Sequence, residues 1–216
     1  MKLIEGFKLE DDILLFDYLP QIPVHSPFGH LGEKYIFLIY RLYFLNDTIK
    51  EIYYFQREYF GCRQNHEFDN NIKLRILHRI LRFSTEIKVI IDEFVSLYYI
   101  LNYHKERNEW PEKILIDSIG SYISQKNTIK YAIFEKYRDW LETTNSIGNA
   151  IKHSFVNSEI TWIRNDSTIP LLIAYFQKQN DLKNKVEFHN IKLVDYIDEL
   201  NRFLPEYNKD VKNNYS

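Results

Sequence analysis

Cysteine is nearly missing from this sequence. Cys62 stands alone, which excludes an intramolecular disulfide and a thiolate zinc cluster and fits a reducing, cytoplasmic setting. Glycine and proline are scarce, at six each, which is too few for the many turns of a β-sandwich and favours long helices. An excess of one charge is also absent. The formal balance of −2 supplies no field to gather phosphates over a broad surface, so extensive non-specific duplex binding is not expected, while a local basic site is compatible with it. The longest apolar run, Tyr35 to Tyr40, falls far short of the roughly 20 residues that cross a bilayer. No membrane partner is therefore expected. The first residues, MKLIEGFKLEDD, lack the continuous apolar stretch and small-residue cleavage site of a signal peptide. No phosphate-cradling glycine loop, internal repeat or low-complexity linker occurs.

What the sequence does hold is enough to build a core. Hydrophobic residues make up 45% and charged residues 27%, which is ordinary globular usage, so a single domain over 1–216 is the expectation. Pro20, Pro23, Pro27, Gly29 and Gly32 punctuate an irregular leader over 1–32, with one helical turn expected near Asp11 to Tyr18. From Glu33 to Phe60 neither Pro nor Gly intervenes and apolar residues are dense, which predicts a long helix stopped by Gly61. A second long helix follows from about Asn71 to Lys105, with Leu77, Leu81, Ser84, Ile91, Val95 and Tyr98 on one side and Arg75, Arg79, Arg82, Glu86 and Glu93 on the other. Trp110-Pro111 predicts a short helix closed by Gly120. Asn127-Thr128 predicts the cap of another, with a break at Thr143 to Asn145. Short β-branched or aromatic runs at 160–163, 169–176 and 186–188 predict two or three strands. A last amphipathic helix begins near Leu193 and is expected to end at Pro205, leaving a frayed tail over 206–216.

One stretch carries residues suited to chemistry: Gly148-Asn149-Ala150-Ile151-Lys152-His153. On a helix, Asn145, Asn149, Lys152 and His153 gather within about a third of the circumference, opposite Ile147, Ile151 and Phe155. Imidazole trades a proton near neutral pH, an adjacent ammonium holds a phosphate oxygen, and an amide both donates and accepts. These are the parts of a phosphodiester site. They are also what a solvated or hydrogen-bonded polar stripe looks like, and the residues alone leave both accounts open.

In this setting the motif resembles that of the HEPN superfamily, the higher-eukaryote and prokaryote nucleotide-binding helical domains. Their pattern is an Arg, usually a following polar residue, and a His a few positions on, all on a late helix. Asn149 and His153 match the polar and His positions, and Gly148 stands where the Arg belongs. The resemblance implies a mainly α fold, a HEPN-like helical bundle with a small β-hairpin between the motif helix and the C-terminal helix. It further implies a homodimer formed through the motif helices. In active members Arg and His promote metal-independent attack of a ribose 2′-hydroxyl on the adjacent phosphate. For this chain the implied catalytic residues are Asn149, Lys152 and His153, with no cofactor and no metal. Lys152 adds positive charge, but as a point charge rather than the planar fork of arginine.

A second basic feature is the row Arg75, His78, Arg79 and Arg82, which has helical spacing. Arg75, Arg79 and Arg82 are the candidate RNA-binding residues; a solvated face balanced by Glu86, Asp92 and Glu93 accounts for them as well. His25 and His30 flank a loop without a metal-ligand pattern, and Cys62 sits in a polar connection without the marks of a nucleophile. Most Tyr and Phe fall at core spacing. Two functional readings remain: a HEPN-like protein that binds or cleaves single-stranded RNA, as in bacterial stress or antiphage systems, and a non-catalytic HEPN-like dimeric scaffold that engages a protein partner. The absent Arg favours the second.

Overall fold

The computed structural model describes residues 1–8, 22, 23, 25–64, 70–124, 126, 128–153, 168–177, 183 and 186–215; at 63, 64, 153, 175–177, 186, 214 and 215 it describes the backbone alone. The described chain is mainly helical. Its elements are α1 (Leu31–Gln64), α2 (Asn70–Arg107), α3 (Ile119–Ile123), α4 (Ala132–Lys136), α5 (Arg138–His153), β1 (Leu171–Gln177), β2 (Val186–Lys192) and α6 (Leu193–Tyr215). A small antiparallel hairpin thus lies between the motif helix and the last helix, as expected. The turn expected near Asp11 to Tyr18 and the strand expected at 160–163 lie outside the described residues. No helix among the described residues is long and apolar enough to cross a membrane.

The chain divides into two compact units, each assembled from three stretches. One comprises Met1–Leu3, Leu45–Lys88 and Thr143–Asp198, and the other Ile4–Phe44, Val89–Glu142 and Glu199–Ser216. The second unit uses the aromatic residues as its core. Phe134 packs edge-on against Tyr98 and Tyr122 with centroids 5.0 and 5.1 Å away, and Phe94 meets Tyr207 at 4.9 Å. Edge-to-face pairs of this kind add roughly 0.5–1.5 kcal/mol beyond the area they bury. The first unit contains the hairpin, whose register runs from Leu171↔Lys192 to Gln177↔Val186. Leu172, Ile173 and Ala174 of β1 are buried, while Glu187, Phe188 and Asn190 of β2 are exposed.

Local chemistry explains several helix ends. His30 Nδ1 accepts the Glu33 backbone N–H at 3.0 Å, so a loop histidine caps α1. α2 ends at Asn108, whose φ of 54° is the left-handed conformation that closes helices and whose N–H reaches His104 O at 2.8 Å. His104, Lys105 and Arg107 in its last turn complement the helix dipole. Ser118 and Ser121 cap α3 reciprocally, side chain to backbone, at 3.1 and 3.0 Å.

Five expectations about boundaries are corrected. Gly61 does not stop α1, because it lacks the positive φ that a glycine stop requires, and the helix continues to Gln64. Pro111 starts no helix. Trp110 instead stacks on His104 at 3.9 Å, and Gly120 lies within α3 because the Ser118 cap sets the start there. Thr128 caps nothing helical, since α4 begins only at Ala132, and Asn127 lies outside the described residues. The break lies at Tyr137 rather than at Thr143 to Asn145: buried Thr144 shares a 2.8 Å hydrogen bond with Tyr196 Oη, which makes it an interior residue of α5. Finally, Pro205 sits inside α6 and 206–215 are helical. An interior proline costs about 3 kcal/mol. Beyond it, buried Tyr207 donates to Phe94 O at 2.9 Å, Asn208 accepts from Tyr35 Oη at 2.6 Å, and Val211 is buried. Burial returns roughly 1.5–3 kcal/mol for each large apolar side chain, which outweighs the proline.

Candidate functional site

α5 carries the motif, and its faces are set by what each packs against. Thr144, Ile147, Gly148 and Ala150 are buried, Asn145, Ser146 and Asn149 are half-buried, and Lys152 is exposed. The polar stripe of the sequence is therefore present as far as Lys152. His153 closes the helix, and its side chain lies outside the described residues.

Gly148 has a definite packing role. A Cβ built on it falls 2.2 Å from Lys88 Cδ and 3.0 Å from Lys88 Cβ and Cγ. The stem of Lys88, a residue only 6% exposed, occupies the volume that any side chain at 148 needs. Glycine at this position thus lets α2 and α5 approach closely. Lys88 was not singled out in the sequence. A lone lysine among apolar neighbours reads as a solvated residue, and only the meeting of α2 with α5 turns its stem into packing.

β2 brings two further groups to α5. Glu187 and His189 are two residues apart, hence on one face of the strand. Ser146 Oγ donates to Glu187 Oε2 at 3.4 Å, and His189 Nε2 lies 3.8 Å from the same oxygen. That nitrogen is buried without a hydrogen-bond partner. Burial pulls the His189 pKa below its ordinary value, and the nearby Glu187 carboxylate opposes the shift only in part. Ser146, Asn149 and the backbone position of His153 recur at i, i+3 and i+7, so the Glu187–His189 pair meets the polar face of α5 at its Ser146 end. The alternation of Glu187 and His189 was visible in the sequence, but nothing there placed it beside α5.

The arginine row lies on the first half of α2 and is only partly available. Arg79 Nε pairs with Glu51 Oε2 at 2.7 Å, and the Arg75 guanidinium lies over the Phe55 ring, 5.5 Å from its centroid. Arg75 and Arg82 are exposed. Asn71, Leu74, Arg75, His78 and Arg79 line a shallow open cleft on this surface. Among the described residues no group of three or more His, Cys, Asp or Glu is placed to hold a metal ion. Compared with protein-family models, curated proteins and solved structures, the chain matches none.

Proposed function

We propose that this chain is a HEPN-like protein that binds single-stranded RNA along α5 without the arginine-based cleavage chemistry of the family. One observation carries the reading: Gly148 is packed beneath Lys88 and has no room for a cation, while Asn149 and Lys152 beside it stay accessible. A helix face built this way keeps groups that hold RNA, an amide that donates and accepts and an ammonium for phosphate, and gives up the group that stabilises charge in the transition state. Arg75 and Arg82 extend the basic surface along α2, whereas Arg79 is held by Glu51.

The test is titration of a labelled single-stranded RNA with the full chain, read by fluorescence anisotropy at several salt concentrations with chelator present. Lys152→Ala should weaken binding similarly across sequences and reduce the salt slope by about one ion. The RNA should stay intact in wild type and in His153→Ala alike. Cleavage that falls by roughly 10²- to 10⁴-fold in a folded His153→Ala variant would return the chain to the enzymes. Absence of binding at about 100 µM protein, the range of a very weak complex, would leave the scaffold reading. That second reading draws on Arg79, whose charge serves a contact within the protein.

A further inference from the structure

Helix α1 is apolar on two sides, and one of them carries four exposed rings. Leu38, Ile39 and Leu42 are buried, whereas Phe37, Tyr40, Tyr43 and Phe44 are 62, 42, 50 and 62% exposed. A helix that is hydrophobic all round is normally enclosed, so this face is built to be covered. The rings are ordered against one another: Tyr40 and Phe44 stack with centroids 6.5 Å apart, and the Arg41 guanidinium lies 6.0 Å from the Phe37 centroid.

We propose that this face joins a second copy of the chain, with α1 packing antiparallel on α1 of the partner across a two-fold axis between Tyr40 and Arg41. Three observations select that occupant. First, the cations beside the patch are already engaged, because Glu93 binds Arg41 at 2.6 Å and Lys34 at 3.4 Å, so a nucleic-acid backbone is a poor fit. Second, the ring row reads nearly the same in both directions. Phe37, Tyr40 and Phe44 are spaced by three and then four residues, so the two-fold lays Phe37 of one copy on Phe44 of the other, twice. An isologous contact requires that self-complementarity. Third, the rings supply much of the area a pair needs. At about half exposure of side chains that bury 150–250 Å² each, the four rings give roughly 300–500 Å² per copy. Doubled, this is roughly 600–1,000 Å², which flanking residues must raise to the about 1,200 Å² at which specific interfaces begin. This pairing differs from one through the motif helix and is independent of RNA binding.

Sedimentation of the full chain from about 1 to 100 µM tests the proposal, over the range in which a micromolar interface fills. Wild type should pass from monomer to dimer. Phe37→Lys and Phe44→Lys should each raise the dissociation constant at least about tenfold, as central aromatic contacts do, with helical circular dichroism and melting unchanged because both rings are exposed. A second measurement does not depend on those variants. With Cys62→Ser as background, Tyr40→Cys should be joined by a short bis-maleimide of about 8–10 Å reach, the spacing of packed helices, and Lys152→Cys should not. Wild type monomeric at every concentration overturns the proposal. So does a dimer that tolerates both lysine variants and crosslinks from position 152 instead of 40, since that pairing runs through α5.

Discussion

Replacing Gly148 by alanine sets two effects of known size against each other. In a helix interior alanine is favoured over glycine by about 1 kcal/mol, so helix propensity alone predicts stabilisation. The new Cβ, however, falls 2.2 Å from Lys88 Cδ and 3.0 Å from Lys88 Cβ, and the latter is fixed to the backbone of α2. Lys88 and Gly148 are both buried, so the strain has no easy outlet, and overpacking at such sites costs roughly 1–3 kcal/mol. The 2.2 Å approach places the cost in the upper part of that range, about 2–3 kcal/mol, so the expected net effect is a loss of about 1–2 kcal/mol, or a melting temperature lower by roughly 2–8 °C for a chain of this size. Thermal melting of four proteins isolates the contact: wild type, Gly148→Ala, Lys88→Ala and the double variant. Removing the Lys88 stem relieves the closest contact, so the two substitutions should couple by at least about 1 kcal/mol in the sense that alanine at 148 is better tolerated. Gly148→Ala melting at or above wild type, or additivity within about 0.5 kcal/mol, would refute the reasoning. Gly148→Arg introduces the same Cβ and more, so an arginine at this position should cost stability before it brings any chemistry.

Three further outcomes follow from named contacts and burial. A Cβ at Gly6 falls 2.8 Å from Asn201 Cα, a backbone atom, and Asn201 Oδ1 accepts the N–H groups of Glu5 and Gly6 at 2.7 and 2.8 Å; Gly6→Ala and Asn201→Ala should each destabilise by about 1–3 kcal/mol in thermal melts, and an unchanged melt for either refutes that anchor. Burial raises the pKa of Tyr122 and Tyr137 to about 12, and of Tyr35, Tyr98, Tyr131 and Tyr196 further still, so these groups favour the folded state below pH 10 and lose that contribution as pH rises through the folded values. Phenolate absorbance should therefore appear late, together with loss of helix above about pH 10, and full early titration in a folded chain contradicts the aromatic core. His189 works at the other end. Its lowered pKa contributes stability above the ordinary histidine value that is lost as pH falls through the folded one, and His189→Gln should remove that acid sensitivity.

Local terms were legible in the sequence because they act locally. The uninterrupted run after Glu33, the periodic run through Arg79 and Tyr98, and the β-branched segment before Phe176 gave the two long helices and the hairpin, since backbone freedom and apolar spacing are fixed by neighbours in the chain. The polar stripe of Asn145, Asn149 and Lys152 was readable for the same reason. Pairings between distant segments carry no local signature, and the tertiary structure alone decided them. Lys88 closes over Gly148, and Glu51 pairs with Arg79, one of the candidate RNA-binding residues. Ser146 of α5 and the Glu187–His189 pair of β2 likewise meet only in the fold. Pro205 stopped the helix on propensity, at about 3 kcal/mol, until the burial of Tyr207 and Val211 outweighed it.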